Sequence, residues 1–168
     1  MKHFRISILI AAAVMLSAAV AIPAASASSS ATPKPKKIVF TGSYSGQASS
    51  EVNGNTATIA ANGTGTGKLI GAGTITGSGT ADSSQQPCPP FGGTGAIKGA
   101  KGTILFKVVP GSKGCGDEGG HTFSLVGYLA VTKATGALAK AKGQIRFTGT
   151  YDRDAGTFAI KLNGTLKK

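Results

Sequence analysis

Glycine alternates with threonine or serine along one stretch of the chain, and this alternation limits the folds that the chain can adopt. Residues 63–80 read GTGTGKLIGAGTITGSGT. Successive side chains of a β-strand point to opposite faces of a sheet, so a two-residue period is typical of a strand. A flexible Gly/Ser linker has no reason to keep threonine in one phase. The stretch therefore predicts β-structure in which Ile75 and glycines face the interior and Thr74 and Thr76 face solvent.

The same two-residue period continues through most of the chain after residue 37. It predicts strands with apolar residues and glycine on one face and polar residues on the other. Seven such strands are predicted, at about 38–49, 55–62, 73–81, 102–109, 121–132, 143–151 and 156–166. An eighth strand is expected, if anywhere, in the proline-rich segment 83–93. We find no convincing amphipathic helix in this part of the chain.

Glycine on the interior face of a strand removes packing and therefore needs a structural reason. A small, tightly curved barrel provides one, because its strands coil sharply and its interior is narrow. We therefore predict an all-β domain over residues 38–168, folded as a single small antiparallel β-barrel of about eight strands. The first strand is expected to close the barrel against a late strand. A β-sandwich is the alternative.

The beginning of the chain has the features of a secretion signal. An apolar run at 6–22 follows basic residues, and a small-x-small cleavage sequence lies at 25–27. We predict a signal peptide at 1–27, with a transmembrane anchor as the alternative because the run has nearly the length of a spanning helix. Residues 28–37, SSSATPKPKK, are expected to form a flexible Pro/Lys/Ser-rich arm. The protein is expected to be secreted, to the extracellular space or the cell envelope, with no transmembrane segment after signal removal.

Two cysteines, Cys88 and Cys115, lie in turn-rich segments of the predicted exported domain. Disulfides persist in the compartments that exported proteins enter. We predict one disulfide between them, with free thiols or a metal-binding pair as alternatives. A metal site is disfavoured because His121 is the one other soft ligand after the predicted signal. We therefore predict neither a metal nor another cofactor.

Three segments share a pattern of Thr-Gly or Gly-Lys, an apolar residue, small residues and then glycine before a new strand: 67–75, 94–106 and 135–147. The last third of the chain resembles secreted bacterial proteins of the allene oxide cyclase/dirigent-like barrel group. The residues that carry the resemblance are Thr135-Gly136-Ala137-Leu138, Ala141-Lys142-Gly143, Gly149-Thr150-Tyr151-Asp152 and Gly164-Thr165-Leu166. The resemblance implies an eight-stranded antiparallel barrel. Because these are turn and packing residues, it brings no catalytic residue with it.

Residues suited to acid–base chemistry are few. Asp117, Glu118 and His121 form one compact polar cluster, expected either as a solvated loop beside the disulfide or as a site at the barrel mouth. Tyr44 and Tyr151 are the polar tips on the inward faces of the predicted strands. These five residues are our candidates for a pocket or its mouth, and we assign no catalytic residue.

The chain is strongly basic, with a formal net charge of +12. Lys98, Lys101, Lys140 and Lys142 recur at the predicted connections between strands and are expected at one end of the barrel. Nucleic-acid readers combine such charge with stacking aromatic residues. Here tryptophan is absent and most aromatic residues fall on the inward face, so sequence-specific nucleic-acid binding is not expected. A merely solvated basic surface is the favoured interpretation of this charge, with diffuse attraction to an anionic envelope polymer as the alternative.

Three classes of function are consistent with these features. The favoured one is an exported, non-catalytic β-barrel that binds a small apolar ligand or an anionic cell-envelope polymer, because the predicted interior rows consist of apolar residues and glycine. An allene oxide cyclase/dirigent-like enzyme is implied by the resemblance alone, and a fold does not determine an activity. The third is a structural module of the envelope. A hollow interior would favour ligand binding, and a carboxylate or His121 lining it would favour the enzyme.

Overall fold

A computed structural model describes residues 34–168, and β-strands account for most of them. The strands are β1 (Lys37–Asn53), β2 (Thr56–Gly67), β3 (Gly71–Asp82), β4 (Phe91–Gly99), β5 (Gly102–Val108), β6 (Lys113–Gly116), β7 (Thr122–Ala134), β8 (Gln144–Asp152) and β9 (Thr157–Lys167). A short 3-10 turn, Gly136–Leu138, lies between β7 and β8. Within this range no helix has the length and apolarity needed to cross a membrane. The predicted signal peptide (1–27) and residues 28–33 of the predicted arm lie outside the described residues.

Eight of the strands form a closed antiparallel barrel in the order β1, β2, β3, β4, β5, β7, β8, β9. The sheet closes on itself because β1 pairs with β9 from Lys37 to Gln47, and β5 pairs with β7. The predicted barrel, closed by its first strand against a late strand, is therefore confirmed. The alternative sandwich is not formed.

The two ends of the barrel carry different connections. We call one end the base; it carries the start of β1, the end of β9 and the connections 68–70, 100–101 and 135–143. We call the other end the mouth; it carries the short turns 54–55 and 153–156 and the long segments 83–90 and 109–121.

The interior is filled at the base. Phe40, Ile70 and Leu138 are fully buried there and belong to one apolar cluster. The Tyr44 ring, also buried, lies over Gly65: a Cβ on that glycine would be 2.7 Å from Tyr44 Cδ1. The Ser43 carbonyl oxygen of the neighbouring strand is closer still. Glycine is therefore needed on the inward face at this position, because the backbone of β1 and the aromatic ring together occupy the space of a side chain.

The eighth barrel strand differs from the sequence-based expectation. It was expected within 83–93, but β4 begins at Phe91 and runs to Gly99, and residues 83–90 form a loop. Glycine at several inward positions of β4 leaves few apolar side chains to mark the two-residue period. The similar segments 67–75 and 94–106 each contain the turn of an antiparallel hairpin, whereas 135–147 contains an irregular connection with the 3-10 turn.

The short strand β6 completes the wall near the mouth. One edge of β7 pairs with β8, so β5 and β6 share its other edge: β5 pairs with the end of β7 and β6 with its beginning. On its far side β6 meets the segment before β4. The amide N–H of Gly114 donates to the Pro89 carbonyl (3.1 Å) and that of Gly116 to the Pro87 carbonyl (2.8 Å). Near the mouth, β6 therefore takes the place that β5 has lower in the barrel.

Candidate binding site in the barrel

The barrel is hollow towards its mouth. An open cavity of about 210 Å³ reaches down to Ile75, Leu129 and Phe147, which lie in the middle of their strands. An apolar cavity of about 150 Å³ engineered into another protein stays dry and binds benzene. The cavity of this barrel therefore has room for a small organic molecule.

Two unlike walls enclose the cavity. Strands β1 to β4 contribute mainly small residues, among them Ala48, Ala57, Ala61, Gly77, Gly79, Ala81 and Gly93. The other strands contribute mainly large ones, among them Phe106, Phe123, Leu125, Leu129, Phe147, Phe158 and Ile160. The space remains open because the small side chains do not reach the large ones opposite. At Gly77, for example, an added Cβ would meet just one atom, the Thr94 carbonyl oxygen at 3.6 Å.

Tyr151 brings a hydroxyl group to the cavity. Its oxygen lies 3.2 Å from Ser50 Oγ, within hydrogen-bond distance. Because β9 separates β8 from β1 in the sheet, this contact crosses the inner face of the barrel. The Tyr151 ring also stacks beside Phe123, with the ring centroids 6.0 Å apart. The hydroxyl is therefore held in place beside an otherwise apolar space.

Arg153 is the one charged residue that lines the cavity among residues 34–168. Its guanidinium carbon lies 4.8 Å from the centroid of the Phe123 ring, a cation–π contact that holds it at the rim. Its amide N–H donates to the His121 carbonyl at 2.8 Å. In the part of the chain that the structure describes, no carboxylate lies within 4.0 Å of the guanidinium nitrogens. The positive charge at the rim is therefore free to meet an anionic group.

The five predicted pocket residues occupy three different places. Tyr151 lines the cavity. Tyr44 is buried towards the base and does not line it. Asp117, Glu118 and His121 are exposed on the 109–121 segment, outside the cavity.

Sequence reasoning predicted that the glycines of β3 face inward, but it missed Ser50, Arg153 and the alanines that complete the small-residue wall. Nothing in the turn sequence around Arg153 marks its side chain as lying against an aromatic ring. Ser50 does have the inward phase of β1, and that phase is a signal that could have identified it.

Asp117 stabilises its own loop. Its carboxylate accepts the amide N–H groups of His121 (2.8 Å) and Thr122 (3.1 Å). The hydrogen bond from the His121 amide is the main cause that lowers the pKa of Asp117. His121 Nδ1 lies 2.7 Å from Asp154 Oδ2, which ties the same loop to the turn between β8 and β9. These polar residues therefore hold the rim together.

The disulfide lies in the wall of the mouth. The Cys88 and Cys115 sulfurs are 2.12 Å apart, which confirms the predicted pair. The bond joins the segment before β4 to β6, and the neighbouring residues Pro89 and Gly114 both line the cavity. It therefore fixes a part of the barrel that contains little regular structure.

The four predicted basic residues, Lys98, Lys101, Lys140 and Lys142, are exposed at the base, the end opposite the cavity. Among residues 34–168, no three His, Cys, Asp or Glu side chains are grouped closely enough to hold a metal ion. No protein-family model matches the chain, and a search of the curated proteins finds no match.

Proposed function

We propose that the barrel binds a small apolar molecule in its cavity without catalysing a reaction on it. The observation that carries the proposal is the open cavity of about 210 Å³, enclosed by alanine, glycine and large apolar side chains. Concave, mainly apolar pockets with a few polar groups are typical of small-molecule sites. Burying an apolar ligand is favourable by about 25 cal/mol for each Å² of apolar surface removed from water.

The polar groups at the rim favour a ligand with one polar or anionic end. The Tyr151 hydroxyl can donate or accept a hydrogen bond, and the Arg153 guanidinium can pair with a carboxylate, sulfate or phosphate. Both lie on the mouth half of the cavity. The apolar part of the ligand would then point down towards Leu129, with its polar end at the rim.

Binding is favoured over an allene oxide cyclase/dirigent-like reaction. General acid–base catalysis needs a group that gains or loses a proton near the working pH. In the described range, no Asp, Glu, His or Cys side chain lines the cavity, so a reaction would depend on Tyr151, Ser50 and Arg153. A purely structural envelope module is disfavoured for another reason, since an open interior costs stability that a filled core would retain.

Filling the cavity tests the proposal. The wild-type protein is expected to bind the fluorescent probe anilinonaphthalene sulfonate, and octanol or octanoate is expected to displace it. Gly77→Val places a side chain in the cavity at a strand position with space for it. We expect this variant to bind the probe and octanol at least about tenfold more weakly, because the lost apolar burial changes the binding free energy by more than about 1.4 kcal/mol.

Thr74→Val is the matched control, because Thr74 lies on the same strand with its side chain exposed outside the barrel. It should bind the probe as the wild type does. Unchanged binding by Gly77→Val, or equal weakening by the two variants, would overturn the proposal. Circular dichroism and thermal unfolding show whether each variant is folded.

Arg153→Gln tests the orientation of the ligand. The variant should bind octanoate about tenfold more weakly, because it loses a charge-assisted contact. Its affinity for octanol should be unchanged. Octylamine, with the same tail and the opposite charge, should bind Arg153→Gln better than wild type. Equal losses for octanol and octanoate would contradict the assignment of the rim as the site of the polar end.

A further inference from the structure

Most of the lysines lie at one end of the barrel and the acidic side chains at the other. Eleven exposed lysines lie at the base: Lys34, Lys36, Lys37, Lys68, Lys98, Lys101, Lys133, Lys140, Lys142, Lys167 and Lys168. The side-chain carboxylates of the described residues all lie at the mouth: Glu51, Asp82, Asp117, Glu118, Asp152 and Asp154. No acidic side chain lies at the base within residues 34–168.

Backbone hydrogen bonds connect the lysine-bearing segments around the base. Lys36 and Lys168 exchange two of them (3.0 and 2.9 Å), and Lys142 and Lys167 exchange two more (2.9 and 2.8 Å). The Lys101 amide donates to the Ile70 carbonyl at 3.2 Å, and the Lys101 carbonyl accepts from Ala137 at 2.9 Å. The lysines therefore surround the whole end and do not form a stripe along one side. We call this set the lysine ring.

An exposed leucine lies within the lysine ring. Leu69, in the β2–β3 turn, has 40% of its surface exposed, next to the exposed Lys68. Its φ is +77°, a left-handed conformation that is unfavourable for a residue with a Cβ and that turns usually give to glycine or asparagine. Glycine would satisfy the turn without this strain, so the backbone conformation does not itself require leucine here. Backbone strain at an exposed position favours a functional explanation.

We propose that the base docks on an anionic lipid bilayer, with the lysine ring against the headgroups and Leu69 entering the interface. Lysines near an anionic bilayer each add to its attraction for a protein, and apolar side chains add buried area. Docked in this way, the barrel presents the mouth of its cavity away from the membrane. A linear polyanion is the less suitable partner, because it would bind along a groove and would offer Leu69 no apolar environment.

Single tryptophans report the orientation directly, because the chain has no natural tryptophan. Leu69→Trp places a reporter at the base, and Val52→Trp, at another exposed apolar position, places one at the mouth. Vesicles of equal parts phosphatidylglycerol and phosphatidylcholine should shift the emission of Leu69→Trp to shorter wavelength and leave Val52→Trp unchanged. A shift at both ends, or at the mouth alone, overturns the proposed orientation.

Two charge-matched triple variants test the lysine ring. Lys98→Gln, Lys101→Gln and Lys142→Gln together remove three charges from the base. Lys107→Gln, Lys113→Gln and Lys161→Gln remove the same charge from elsewhere. We expect the first variant to bind the anionic vesicles on the order of 100-fold more weakly and the second to stay within a few-fold of wild type. Equal losses would show attraction by net charge alone and overturn the proposed surface.

Leu69→Gly separates the apolar contact from the fold. The variant should unfold at the same or a higher temperature, because it relieves the left-handed strain, and yet bind the anionic vesicles several-fold more weakly. Unchanged vesicle binding by a folded Leu69→Gly protein would remove Leu69 from the proposal.

Binding of a soluble polyanion tests whether the partner is a linear polymer or the bilayer. A shallow depression on the outer wall, lined in part by Lys68, Arg146 and Lys161, is where a polyanion would bind instead. Binding of polyphosphate with no binding to the anionic vesicles would overturn the bilayer proposal. The Gly77→Val variant should dock on vesicles normally, so failure of membrane docking and failure of ligand binding give different results.

Discussion

Tyr44 has an apolar role but carries a polar group. Its ring covers Gly65, whereas its hydroxyl is buried without a hydrogen-bond partner in the described part of the chain. A buried unsatisfied hydroxyl costs roughly 1–3 kcal/mol. We therefore expect Tyr44→Phe to raise the free energy of unfolding by about 1 kcal/mol, measured by chemical denaturation. Tyr151→Phe is the control, since it loses the contact with Ser50 and should not gain stability. A less stable Tyr44→Phe protein would contradict the assignment.

Burial of the same hydroxyl predicts that the stability of the fold falls at alkaline pH. Burial raises the pKa of Tyr44 above its usual value of 10.0, so the unfolded chain loses this proton before the folded protein does. The resulting stability is complete below pH 10 and is lost as pH rises through the folded-state pKa. Wild type should therefore lose stability faster than Tyr44→Phe above about pH 10. Parallel pH profiles for the two proteins would exclude this cause.

At the scale of elements, the mouth depends on its disulfide more than the base does. Cys88 and Cys115 are 27 residues apart, and closing such a loop contributes about 3–4 kcal/mol in the loop-entropy account. Replacing both with serine should lower stability by about that amount. The amides of Gly114 and Gly116, which bond the segment before β4, should lose protection from hydrogen exchange first. Amides of β1 and β2 near the base are the internal reference, and equal loss at both ends would contradict a local role.

The strands were predicted where side chains mark the two-residue period. The row of Ile145, Phe147 and Tyr151 is such a case, and β8 follows it closely. The two-residue period does not predict a strand where the inward residues are glycine, as in the first half of β4, or where the strand is as short as β6. The place of β6 is decided by β7, β4 and the disulfide, which are distant in sequence. Local pattern therefore could not predict how the wall closes at the mouth.

The hollow interior also could not be predicted from the local sequence pattern. Inward glycine is present in both halves of the barrel: at Gly65 it makes room for the backbone of β1 and the Tyr44 ring, and at Gly77 it leaves space open. The difference depends on which side chains of other strands reach across. The sequence therefore predicted the barrel and, among the five candidate pocket residues, the position of Tyr151 at the cavity, but it could not place Ser50 and Arg153 beside it.

For the whole molecule, the lysine ring has a cost in stability. Its like charges repel one another within a Debye length of about 10 Å at moderate salt. Added salt should therefore raise the unfolding temperature. At low salt the triple variant of Lys98, Lys101 and Lys142 should unfold a few degrees higher than the triple variant of Lys107, Lys113 and Lys161. Thermal unfolding at two salt concentrations measures both effects, and the same temperature for both variants would show that repulsion in the ring is negligible.

The separation of lysines from carboxylates also gives the barrel a large electric dipole along its own axis. In a nonuniform field such a molecule experiences a torque as well as a pull, so it turns before it makes contact. A negatively charged chromatography matrix should accordingly retain the barrel with its base against the matrix. Retained in that way, it would still exchange small molecules with the flowing buffer.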